Sequence, residues 1–221
     1  MLRTSLPLFA ACLLALSSCS SSSDTSATTA DNAAGTSTAT TDASTAATTP
    51  AAGDSSSAMA AQAPGGTGKA DPNGPTGPHA NDNEFMMTAA HSDQNEIQQS
   101  KMALAKGVTG MAKDMANKMI ADHTKSTADL KAIATKKGVT LPTDMDAEHK
   151  AMAPAMEKLS GKAFEQQYIK QMVADHQKTA NTMAAHQQMT KDPALQGFIT
   201  KTLPVVESHL QMAESGSNMK M

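Results

Sequence analysis

From residue 81 to about residue 215, apolar residues recur at three- and four-residue steps and show no sustained one-for-one alternation. That period marks helices that each bury one stripe, and it leaves no strand from which to build a sheet. Four long stretches carry it, about Asn83–Lys106, Val108–Lys137, Lys162–Met189 and Asp192–Glu214, with a short one at about Asp144–Leu159. The punctuation agrees. Gly107 and Gly110 bracket the first break, Gly138 closes the second stretch, and Leu141 precedes Pro142 where helix is disfavoured. Asp192-Pro193 reads as an N-cap followed by proline at the first helical position, and Gly216 is the expected stop of the last helix. Pro204, inside that helix, predicts a kink. Roughly 135 residues are enough for one domain with its own core. The expectation is all-α: an antiparallel four-helix bundle with one extra short helix over residues 81–216, and a tail at 217–221.

What precedes residue 81 is different in kind. Arg3 and the amino terminus are positive, and an apolar run from Leu6 to Leu16 follows that is too short to span a bilayer. This reads as a signal peptide over residues 1–18. The run ends Leu16-Ser17-Ser18-Cys19, which resembles the bacterial lipobox and makes Cys19 the expected lipidation site. Cys12 would leave with the signal peptide, so the mature chain would keep one cysteine and form no internal disulfide. The expected partner is then a membrane, held through the lipid; the sequence names no protein partner. Ser20, by analogy with lipoproteins of Gram-negative type, points to the periplasmic face of the outer membrane rather than the inner. Residues 20–80 are mostly Ser, Thr, Ala, Gly, Pro and Asp, with almost no larger aliphatic side chain. Such a segment buries too little apolar surface to offset its ordering entropy, so 19–80 reads as a lipidated flexible linker. A coil of that length reaches about 40–50 Å.

Net charge is −3 and aromatics are 2%. There is no clustered basic surface for nucleic acid and no platform for base stacking. No Ser/His/Asp ordering, phosphate-cradling glycine loop or cysteine site points to an enzyme.

Each long stretch carries one polar residue on its apolar stripe. In the first, Phe85, Ala89, Ile97 and Leu104 define the stripe and Glu96 falls on it. In the second, His123 lies four after Met119 and seven before Leu130. In the third, His176 lies four after Met172 and seven before Met183. In the fourth, His209 lies three after Val206 and four before Ala213. At 1.5 Å rise per residue these four reach similar levels along the bundle. Buried charge is costly unless paired, hydrogen-bonded or bound to metal. Glu96, His123, His176 and His209 are therefore candidate ligands for a transition metal such as Fe, Zn, Mn or Cu. Asp122, Asp175 and Tyr168 are candidates for the shell behind them. A metal-free hydrogen-bond network in the core explains the same four residues and stays open. Glu-x-x-His pairs of the di-iron type are absent, with Ile120, Val173 and Val206 three residues before the histidines.

Seventeen methionines also need a reason. Met111, Met115, Met119 and His123 run at i+4 steps, and Met172–His176 repeats the pair. Thioether with imidazole suits Cu(I). Methionine equally fills gaps in a core almost without aromatics, or serves as an oxidant sink.

The stretches NEIQQSKMALAKG, MANKMIADHTKSTADLKAIATKKGVTLP, LSGKAFEQQYIKQMVADHQKTA and LPVVESHLQMA resemble the bacterial family of domain of unknown function 4142, from about Asn83 to Ala213. The resemblance implies an exported protein with a ferritin-like helical bundle. It singles out Glu96, His123, His176 and His209, and it implies no settled activity.

Overall fold

The computed structural model describes residues 67–219. The signal peptide, Cys19 and most of the expected linker lie outside that range. The described residues form five helices and no strand: α1 Asp82–Ala105, α2 Gly110–Lys136, α3 Ala147–Glu157, α4 Gly161–Met189 and α5 Pro193–Asn218. None of these helices is long and apolar enough to cross a membrane.

The helices begin and end where local chemistry dictates. The Asn81 side chain accepts from the Glu84 amide at 3.0 Å, and the Glu84 carboxylate reaches back to the Ala80 amide at 2.6 Å. Asp192 accepts from the amides of Ala194 and Leu195 at 2.8 and 3.0 Å, starting α5 with Pro193 at its first turn. α2 closes with a left-handed Gly138 (φ 68°), and the Val139 amide donates to the Ala134 carbonyl at 2.9 Å. A side chain at Gly138 would strain that turn.

Two apolar clusters fill the interior. One gathers Phe85, Met86, Leu130, Met183, Leu195 and Ile199; the other gathers Met115, Met119, Phe164, Tyr168, Ile169 and Met172. Burying each of these large side chains contributes about 1.5–3 kcal/mol. The first cluster draws on the start of α1, the end of α2, the end of α4 and the start of α5. The second draws on the opposite end of each. Between them, on every long helix, sits one of the four inward polar residues: Glu96 between Ala90 and Ala103, His123 between Met119 and Leu130, His176 between Met172 and Ala180, and His209 between Val206 and Ala213.

Two expectations are corrected. α5 continues through Gly216 to Asn218 rather than stopping near Glu214. A Cβ at Gly216 would stand 2.2 Å from Met111 Cε and 3.4 Å from Ile169 Cγ2, so this glycine permits close helix packing instead of ending the helix. The expected linker also ends sooner than residue 80, because residues 67–80 lie along α4 and α5. Ala70 donates its amide to Glu207 at 3.0 Å, Asp71 to Asn181 at 2.8 Å and Gly77 to Thr182 Oγ1 at 2.9 Å. A glycine- and proline-rich strap has no ladder of its own, so helix side chains satisfy its backbone.

Candidate metal centre

Glu96, His176 and His209 have no exposed surface and His123 has 3%. The ring centroids of His123, His176 and His209 stand 5.2–5.5 Å apart, and one nitrogen from each falls within 4.8 Å of the others. Glu96 Oε2 lies 2.5 Å from His123 Nε2 and 3.6 Å from His176 Nε2. The four residues placed on the stripes by spacing therefore do meet.

The outward nitrogen of each ring is held. His123 Nδ1 pairs with Asp93 Oδ1 at 2.9 Å, His176 Nδ1 with the Met172 carbonyl at 2.8 Å, and His209 Nε2 with Asp122 Oδ2 at 2.8 Å. A neutral imidazole that donates from one nitrogen carries a lone pair on the other. The remaining nitrogens, His123 Nε2, His176 Nε2 and His209 Nδ1, point inward with Glu96 Oε2; all four are buried, His123 Nε2 and Glu96 Oε2 have only each other, and His176 Nε2 and His209 Nδ1 have no hydrogen-bond partner. Native interiors leave few such atoms unpaired. Ligands on 2.0–2.1 Å bonds to one tetrahedral ion stand about 3.4 Å apart, so the rings need only small adjustments to share one.

The electrostatics are those of one shared proton. Burial alone would raise the Glu96 carboxyl, but His123 and then His176 outweigh it and hold it at about 2. Burial would lower His123, yet Glu96 and Asp93 raise it to about 10. Burial lowers His176, which stays neutral. Burial, then the neighbouring His176 and His123, lower His209 to about 4. Asp93 is raised, by burial first.

Of the three residues expected behind the ligands, Asp122 alone bonds a ring of the cluster. It sits on His209 of α5 and not on its own neighbour His123, because consecutive residues on a helix diverge by about 100°. Asp175 is turned away from His176 for the same reason: it accepts from Gln99, Gln171 and His149. Tyr168 hydrogen-bonds Ser100 Oγ at 2.8 Å and no histidine. Asp93 went unrecognised in the sequence, although it lies three residues before Glu96 on the same face of α1. Its Oδ2 also accepts from Thr127 Oγ1 at 3.0 Å, which fixes it toward α2. His149 and His186, given no role from sequence, are buried too. His149 bridges Asp146 and Asp175, and His186 stacks on Phe85 at 4.2 Å while facing Asp82 at 3.1 Å. Met115, Met119 and Met172 have no exposed surface and pack as core.

Helices of this kind around a buried glutamate and three histidines define a class, an all-helical protein with a polar cluster suited to a metal ion. The chain belongs to the family described as Domain of unknown function (DUF4142), whose model matches residues 67–215. The solved structure of CopM in the Cu(II)-bound form is similar in fold, with a TM-score of 0.53 and 18% identity over 62% of this chain and 95% of that one. A search of curated proteins found no match.

Proposed function

We propose that this protein binds one divalent transition metal ion through Glu96, His123, His176 and His209. In this reading the four long helices form an antiparallel, ferritin-like bundle, with the starts of α1 and α5 and the ends of α2 and α4 gathered in one apolar cluster and their opposite ends in the other. The observation that carries it is the convergence of four buried atoms, three nitrogens and one carboxylate oxygen, of which His176 Nε2 and His209 Nδ1 have no hydrogen-bond partner. A donor set of three imidazoles and one carboxylate suits Zn, Fe and Cu in the divalent state, with Mn weaker. Its lack of a thioether argues for a divalent ion over Cu(I), and the Cu(II) form of the fold neighbour makes copper one of the first metals to test. Asp93, Asp122 and the Met172 carbonyl orient the rings.

The bundle would be carried at the periplasmic face of the envelope by lipid on Cys19, with the outer membrane favoured by Ser20. There it would sequester metal and so aid tolerance of envelope stress. A second reading has its own support: His123 sits between Asp93 and Glu96 and forms a metal-free ionic network that fixes the packing. That network leaves His176 Nε2 and His209 Nδ1 unexplained.

Elemental analysis and titration of the purified chain separate the two. Near-stoichiometric binding, lost in His123→Ala and in His176→Ala, supports the metal site. No metal above background in the native chain, across Zn(II), Cu(II), Fe(II) and Mn(II), leaves the ionic network.

A further inference from the structure

The four ligand atoms are closed off from solvent, so an ion needs a way in. Beside the cluster lies a cavity of about 190 Å³ between α1, α3, α4 and the strap, open to solvent on one side. It has room for several waters. Asp146, His149 and Asp175 line it, as do the hydroxyls of Ser92 and Thr179. Ser92 Oγ and Thr179 Oγ1 stand 2.6 Å apart, joining α1 to α4 across the wall. Behind them is Glu96 itself: Ser92 Oγ donates to Glu96 Oε1 at 3.4 Å, while Oε2 of the same carboxylate faces His123 and His176.

We propose that this cavity is the passage by which a divalent cation reaches the buried cluster. The Ser92–Thr179 hydroxyl pair is its inner door, and Glu96 is the ligand that hands the ion across. The inference rests on the metal-binding reading above and adds a route to it. One carboxylate oxygen faces the cavity side and the other faces the imidazoles, so the ion meets an anionic ligand before it loses its last waters. On the cavity wall the carboxylates of Asp146 and Asp175 flank the His149 ring at 2.8 and 3.1 Å, and the half-exposed Lys178 ammonium offsets the negative charge that remains, so the route is marked by its oxygen donors rather than by net charge. The opposite approach, past Asp122, is less suited. There Asp122 is already engaged by the Lys118 ammonium and by His209 Nε2, each at 2.8 Å, and the His209 ring stands between it and the cluster.

The test is stopped-flow uptake of Co(II) alone by the full chain, followed by cobalt's visible absorption, with circular dichroism checking that each variant keeps its helices. Two plugs enter from different walls, Thr179→Leu on α4 and Thr88→Phe on α1, neither altering a ligand. Each is expected to slow association by about tenfold or more and to slow release equally, leaving Kd within about twofold. Thr179→Ala, which removes the door, should speed association. Lys118→Trp on the far face should leave the association rate unchanged. Wild-type association rates in both plugs, or slowing by Lys118→Trp instead, would overturn the passage while leaving the site intact. No Co(II) uptake by the native chain would overturn the site and the passage with it.

Discussion

Acidifying the metal-free protein should unfold it in a window set by two buried histidines. An unfolded histidine binds its proton near 6.5, whereas His209 in the fold does not until about 4. Between those values the unfolded chain holds more protons, so stability falls as pH falls. Holding His209 neutral over that span amounts to about 3 kcal/mol, of which about 2 is lost by pH 5. His176, lowered by burial, adds in the same direction. Other shifted groups do not imitate this. His123 and His149, raised to about 10 and about 9, contribute stability that is fully present below 6.5. Glu96, Asp144 and Asp146, held at about 2, lose theirs only below the ordinary carboxylate range. Urea unfolding with a chelator present, repeated from pH 7 to pH 4.5, reads the effect directly. The midpoint should fall steeply in the native chain and less in His209→Gln. A flat midpoint across that range, or an equal fall in His209→Gln, would refute the reasoning.

Further outcomes follow from the same geometry. Because His123 holds a proton at neutral pH, metal binding should release about one proton and tighten by about tenfold per pH unit in that range, measurable by calorimetry in buffers of different ionisation enthalpy. Asp93→Ala should weaken metal affinity by about 10–100-fold without removing a ligand, by freeing the His123 ring; competition titration checks it. Glu207→Ala removes the acceptor of the Ala70 amide and the Lys69 ammonium and should cost about 1–2 kcal/mol. Amide hydrogen exchange over residues 67–80 should then accelerate while the helix cores stay protected.

The helices were legible because a three- and four-residue period is a local property. The caps at Asn81 and Asp192 and the stop at Gly138 are likewise written within a few residues. Glu96, His123, His176 and His209 could be found for the same reason, since a polar residue on an apolar stripe stands out on its own helix. What escaped depends on contacts across the chain. Asp93 serves a ring thirty residues away, and Asp122 one eighty-seven away. The strap is held by pairs such as Ala70 with Glu207, so its linker-like composition concealed that it docks. Gly216 looked like a helix stop because its close approach to Met111 and Ile169 is invisible without the neighbouring helices. His149 and His186 sat on polar stretches yet are buried, each matched to a carboxylate from a different segment.

X-ray absorption at the metal edge of the protein loaded with Zn(II) or Cu(II) addresses the central claim most directly. Imidazole scattering from three rings, with one oxygen, at about 2.0–2.2 Å is the predicted shell. A shell of waters alone, or one dominated by thioether sulfur, would contradict it.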